Sequence, residues 1–239
     1  LRDNTFQNHA LSLARRTAPE LLDGQSRFIA FLEKAGRLDR ALERLPDDEE
    51  IAARRAAGRG LTVPEMSVLL AMSKIWLFDE LLASNVPDDP WVATALVRYF
   101  PRALGERFAA LMPRHPLRRE IIATHVVNSM VNRVGSIFVH RLMENTGAAP
   151  TDIVRAYLIA RETFGYVDLW QAVEALEGKV DEDILSEILL ETARKPPATA
   201  WFLRSPRLAD ELGGTIAMFR SGVAALETAL PALLDDPAR

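Results

Sequence analysis

Cysteine is absent from the 239 residues, which excludes disulfides, thiolate metal sites and cysteine nucleophiles and fits a reducing compartment. Lysine is nearly absent as well. Lys34, Lys74, Lys179 and Lys195 are the only four among 29 lysine and arginine residues. Together with the many alanines this reads as a coding bias, so an arginine pair carries less functional weight than usual. Neither sign of charge dominates: 29 basic and 33 acidic residues are interspersed, for a net charge of −4, and no basic face marks a nucleic-acid partner. No apolar run reaches the roughly 18 residues that a membrane span needs, and the N-terminus lacks a basic region followed by an apolar one. The expectation is a cytoplasmic protein with no nucleic acid and no membrane among its partners.

Catalytic signatures are missing too. GxxxxGK[ST], HExxH and GxSxG do not occur. The glycines of "GRGLTV" (58–63) lack both a third glycine and a preceding strand, so they do not make a dinucleotide loop. No stretch alternates apolar and polar residues as a half-buried strand would.

What remains is helical. The chain is 49% hydrophobic and long enough for a substantial core, and apolar residues recur at spacings of three and four almost throughout. The expected fold is an all-α multi-helix bundle of roughly nine to twelve helices with a long central helix. Prolines at 19, 46, 64, 90, 101, 116, 150, 197, 206 and 231 mark helix entrances, where the missing N–H has no intrahelical acceptor. Thr62 and Glu65 form a capping box that opens a buried central helix, "PEMSVLLAMSKIWLFDELLAS". Acidic runs at 46–50, 87–90 and 181–183 fall where carboxylates offset the positive end of a helix dipole, which explains them better than a magnesium site does. A single helix over 117–145, roughly 40 Å long, is expected to be the longest, with a bend or close contact at Gly135 and Ser136. Beyond the two prolines of "ETARKPPATAWF" (191–202), a terminal hairpin broken at Gly213 and Gly214 is expected to cap the bundle.

Three groups of residues are candidates for function. "REIIATHVVNSMVNRVG" (119–135) places His125, Asn128 and Asn132 in a polar stripe that Ser136 and His140 extend. With no carboxylate on the stripe to partner and orient the histidine, and Arg133 beside the stripe to repel a cation, a hydrogen-bonded packing seam is the preferred reading over catalysis or metal binding. Arg118 and Arg119, with Arg114 nearby, put positive charge in the first turn after Pro116, against the dipole. Salt bridges are the preferred compensation; a bound anion, hence a small-anion effector module, is the alternative. Lys74 is the one basic residue of a strongly apolar helix and either snorkels or pairs with a carboxylate.

The stretch "RALERLPDDEEIAARRAAGRGLTVPEMSVLLAMSKIWLFDELLASNVPDDP", continued by "RYFP", "HPLRREIIATHVVNSMVNRVGSIFVHRLMENTGAAPTDIVRAYLIARETFG" and "LW", resembles the C-terminal region of the large bacterial NAD-specific glutamate dehydrogenases. The likeness covers most of residues 1–200. It implies a parent enzyme that converts L-glutamate and NAD to 2-oxoglutarate, ammonium and NADH in amino-acid catabolism, with its catalytic and nucleotide-binding residues upstream. Catalytic, cofactor and metal residues are accordingly expected in none of these 239 positions, and NAD belongs to the parent.

The same resemblance implies an excised piece of a longer chain, with 1–36 leaving the catalytic core, 37–195 as the main helical domain and 196–239 as the hairpin or cap. Its partners would be the upstream catalytic domain of the same chain and, in the full-length enzyme, further copies in a homo-oligomer. Val63 departs from the family pattern, which implies a more polar residue there, and so does His125, where it implies glutamine. Asn128, Asn132 and Arg133 fit it and are, with Lys74, the candidate seam or docking residues.

Overall fold

The computed structural model describes residues 18–193, 197–204 and 211–234. They are helical, with no strand among the described residues. The first helix, α1 (Ala18–Lys34), has Glu20 in its first turn and Lys34 in its last, each placed to offset the dipole. It buries Leu22, Phe28, Ile29 and Leu32 along one face. Asp47 caps α2 (Asp48–Ala56) by accepting from Glu50 N–H at 2.8 Å.

Gly58, at φ +63°, stops α2: its N–H bonds Arg55 O at 3.1 Å and Arg59 N–H bonds Arg54 O at 2.8 Å. That pair of bonds is a Schellman stop, so the glycine of "GRGLTV" ends a helix. The expected capping box opens α3 (Val63–Leu82), with Thr62 N–H donating to Glu65 Oε2 at 2.6 Å. This is the central buried helix, covering Met66, Leu69, Leu70, Trp76, Leu77 and Leu81.

Arg54 ties the two helices together. It holds both oxygens of Glu65, at 2.6 and 2.9 Å, and also Glu50. Burial pushes the Glu65 carboxyl up, but hydrogen bonds from Arg54 and Thr62 outweigh it and hold it below its ordinary value of 4.5. A carboxyl depressed in the folded state stabilises fully above that ordinary value, and the contribution is lost as pH falls through the folded one. Arg54→Ala is expected to cost about 2 kcal/mol at neutral pH and to flatten the acid limb below about pH 5. Urea unfolding at a series of pH values checks both.

After a 3₁₀ turn, Val86–Asp88, come α4 (Pro90–Ala93) and α5 (Ala95–Tyr99), one bent segment with Thr94 at the bend. They are followed by α6 (Arg102–Phe108) and a second 3₁₀ turn, Met112–Arg114. Next is α7 (Arg118–Val134), packed along α3. The single helix expected over 117–145 is two helices. Gly135, at φ 85° and ψ 171°, ends α7, and α8 (Phe138–Thr146) starts afresh. That conformation is open essentially to glycine alone. A Cβ at Gly135 would meet nothing within 4 Å, so backbone geometry, not a close helix contact, accounts for the residue.

The most enclosed element is α9 (Pro150–Thr163), whose buried residues run from Ile153 to Thr163 with only Arg155 and Glu162 part-exposed. Around it lie α8, α10 (Tyr166–Glu174), α12 (Pro197–Leu203) and α13 (Leu212–Leu234). Gly213 and Gly214 fall in the first turn of α13 instead of breaking a hairpin, and Pro231 lies within that helix instead of opening one. At 23 residues α13 is also the longest described helix, the place expected for 117–145. One main core runs from Leu22 through α3, α7 and α9 to Ile216, so it crosses both expected domain limits. A small satellite core of Val173, Leu185 and Leu189 joins α10 to α11 (Glu182–Ala193). No described helix is long and apolar enough to cross a membrane.

Candidate functional site

The polar side of α7 does not converge on one point, because the break at Gly135 divides it. Ser136 lies in the break, and His140 lies on α8, buried against the rings of Phe28 and Phe31 at 5.2 and 4.9 Å. Burial lowers the pKa of His140, against the attraction of Glu144, whose Oε2 is 3.7 Å from Nδ1. The imidazole is a neutral core group. Within α7, Ser129, Asn132 and Arg133 belong to a seam with α9 and α10, while Asn128 belongs to a groove with α3. His125 is half-buried on the same helix.

The seam is built on two arginines. Arg133 Nη2 donates to Glu174 Oε1, and its guanidinium stands 4.7 Å from the centre of the Trp170 ring, a cation–π geometry. Arg161, 8% exposed, donates to Ser129 Oγ at 2.8 Å and pairs with Glu162 at 2.7 Å. Tyr157 is fully enclosed beside them, and burial pushes its phenol far above the ordinary value. Asn132 is buried, with its Oδ1 bonded to none of the described residues. Charge is thus matched inside the seam, whose side chains link α7 to α9 and α10.

Sequence reasoning overlooked Arg161 and Glu174. A signal was available for the first: Arg161 directly follows the apolar run "YLIA", much as Lys74 sits within "LLAMSKIWL".

Lys74 and Asn128 meet across the groove between α3 and α7. Ile75, Phe78, Asp79, Thr124 and Val127 complete its lining, and it encloses about 400 Å³. Asp79 at its edge is paired with Arg37. Ile75 is 54% exposed on a helix that otherwise feeds the core, so the groove has an apolar lip.

Two of the three arginines of "RHPLRRE" are spoken for. Both Arg118 and Arg119 pair with Asp88, and Arg119 Nη2 also donates to Leu82 O and Ser84 O at 2.8 and 2.9 Å, closing the C-terminal end of α3. The neighbouring Asp89 caps α4 through Trp91 N–H and Val92 N–H and faces Arg155 at 3.4 Å. The "PDDP" run therefore ties α4, α7 and α9 together, and through Arg119 the end of α3. Arg114 stands apart and exposed on its 3₁₀ turn. Asp88→Ala is expected to cost about 1 kcal/mol, by leaving two cations opposed to the dipole of α7; chemical denaturation measures it.

No group of three or more carboxylate or histidine ligands among the described residues could hold a metal. The glycines of "GRGLTV" follow a helix and end it, whereas the Rossmann pyrophosphate cradle is a glycine-rich turn from a strand into a helix, so this loop is not one.

The family model described as "Glutamate dehydrogenase, C-terminal" matches residues 58–239. Relatives extend the likeness to nearly the whole chain. It is 42% identical over 228 residues to the NAD-specific glutamate dehydrogenase of Halomonas elongata, covering 95% of this chain and 14% of that protein. With the NAD-specific glutamate dehydrogenase of Pseudomonas aeruginosa the identity is 43% over 242 residues, 100% of this chain and 15% of that one. With that of Mycobacterium tuberculosis it is 36% over 227 residues, 95% and 14%. The chain belongs to the glutamate dehydrogenase C-terminal family, and it spans about one seventh of the length of these relatives.

Proposed function

We propose that this chain is the C-terminal helical domain of a cytoplasmic NAD-dependent glutamate dehydrogenase of amino-acid catabolism, and that its own task is to dock on the catalytic part of the same polypeptide. The parent would take L-glutamate and NAD to 2-oxoglutarate, ammonium and NADH. The family match carries the parent's identity. The docking role is supported by one observation: the α3–α7 groove, with Ile75 on its lip and Lys74 and Asn128 inside, offers an accessible face of mixed character. The seam residues Asn132 and Arg133 act one layer deeper, holding α7 at the angle that shapes the groove. The anion-site alternative is not carried forward, because Arg118 and Arg119 already face Asp88.

The full-length enzyme carrying Ile75→Asp tests this reading. An exposed side chain contributes little to the domain's own stability, so the 239-residue chain with the same change should unfold within about 0.5 kcal/mol of its parent. The full-length variant should nevertheless lose glutamate-oxidising activity or assemble poorly. Unchanged activity and assembly would refute the docking role, and tight NAD binding by the 239-residue chain in calorimetry would refute its non-catalytic character.

A further inference from the structure

The joint between α1 and α8 buries a titratable group that the docking role does not use. His140 is 6% exposed and lies against the rings of Phe28 and Phe31, which meet Trp76 of α3 at 5.6 and 5.5 Å. The backbones approach closely here: a Cβ at Gly24 would stand 2.8 Å from Ile137 Cδ1. His140 Nδ1 is enclosed and hydrogen-bonded to none of the described residues. Glu144, one turn further along α8, brings Oε2 to 3.7 Å from it. That carboxylate is already committed. Arg27 of α1 donates to Oε1 through Nε at 2.7 Å and to Oε2 through Nη2 at 3.2 Å, so the pair ties α1 to α8 beside the histidine.

We propose that this joint is a proton-sensitive latch, which holds α1 against α8 while His140 is neutral and loosens when the imidazole is protonated. A neutral ring among aromatic ones needs no counterion. An imidazolium has N–H groups at both nitrogens, and the carboxylate facing Nδ1 already accepts from Arg27. If Glu144 turns to the histidine it gives up part of its hold on Arg27; if it stays, a buried charge is left unpaired. Both outcomes weaken the same contact. Among the described residues, the charged groups that bear on His140 are Glu144 from its own helix and Arg27 from α1. The helices α9 and α12, also packed on α8, bring it no charge, α12 having none in its sequence. Burial holds the imidazole below its ordinary value of 6.5, with Glu144 opposing and Arg27 adding. In an open form the histidine regains that ordinary value and takes up its proton first. The latch is therefore fully closed above about pH 6.5, and its hold fades as pH falls from there through the folded value.

Amide hydrogen exchange of the 239-residue chain at pH 7.5 and 5.5, corrected for intrinsic rates, reads the opening of α1. An exposed imidazole at pH 5.5 is charged about ten times as often as it is neutral, so protection from Phe28 to Leu32 should fall by up to about tenfold relative to that of α9. His140→Gln, which cannot titrate, should remove the difference. Arg27→Gln, at an exposed position, should keep the fold and move the imidazole's NMR titration upwards, because Glu144 then serves the histidine alone. This second variant and the titration of the unaltered chain decide the matter even if His140→Gln folds poorly. An imidazole that titrates at 6.5 or above in the unaltered chain would overturn the proposal. So would an unmoved titration in Arg27→Gln, or α1 protection that responds to pH equally with and without His140.

Discussion

Replacing Gly135 by alanine is expected to lower the midpoint of thermal unfolding by about 5–10 °C. The residue sits at φ 85° and ψ 171°, a region closed to residues with a Cβ, and forcing one into it costs about 2–3 kcal/mol. For a domain of this size each kcal/mol moves the midpoint by roughly 2–4 °C. The substitution leaves space for its methyl group, since nothing lies within 4 Å, so the loss arises from the backbone and not from a steric clash. Alanine also favours continuation of α7, which would swing α8 out of the core and draw His140 away from Phe28 and Phe31. A scanning calorimetry shift below 2 °C would show that the break does not need glycine.

Arg133→Ala is the second large effect, expected at about 2–3 kcal/mol. The pair it breaks is mostly enclosed, with side-chain exposures of 15% for Arg133 and 21% for Glu174. The loss leaves a carboxylate in that setting without its cation and uncovers the face of Trp170. Arg133→Lys should recover only part of the loss, because an ammonium neither stacks on the ring nor offers the same planar fork. Arg133→Met combined with Glu174→Leu should approach the parent's stability, since an apolar pair of similar volume avoids the desolvation of both charges. Urea unfolding of the three variants separates these outcomes. Equal losses for the single and double variants would mean that the seam depends on shape and not on charge.

Local features were legible wherever one residue decides one backbone event. Thr62 and Glu65 announced the start of α3, and the prolines at 19, 64, 90, 150 and 197 stand in the first turns of their helices. The composition of "PEMSVLLAMSKIWLFDELL" identified the central helix because it is apolar on most sides. The helix over 117–145 misled because its periodicity runs through Gly135 without a change of phase, and periodicity cannot register a single residue in an unusual conformation. Gly213 and Gly214 misled in the opposite direction: glycine permits a break without requiring one, and the first turn of a helix tolerates it well.

The candidate residues divide along the same line. Arginine in the first turn of α7 demanded compensation, and the sequence could say so. That Asp88 supplies it, from a turn thirty residues earlier, depends on the return of the chain around α3. Lys74 was marked as a cation on an apolar helix and Arg133 as a candidate seam residue, but their neighbours, the Asn128 groove for one and Glu174 and Trp170 for the other, come from helices far away in sequence.

By itself, then, the sequence determined the class of fold, the caps of its principal helices, the absence of cysteine chemistry and the kinship with glutamate dehydrogenases, because these rest on local propensity and on residue identity. Tertiary structure alone decided that α9 sits at the centre, that Arg118 and Arg119 share Asp88, and that the polar stripe of α7 splits between a buried seam and an open groove. Those outcomes depend on which surfaces meet in three dimensions, and burial and charge pairing between distant segments leave no periodic mark in either segment.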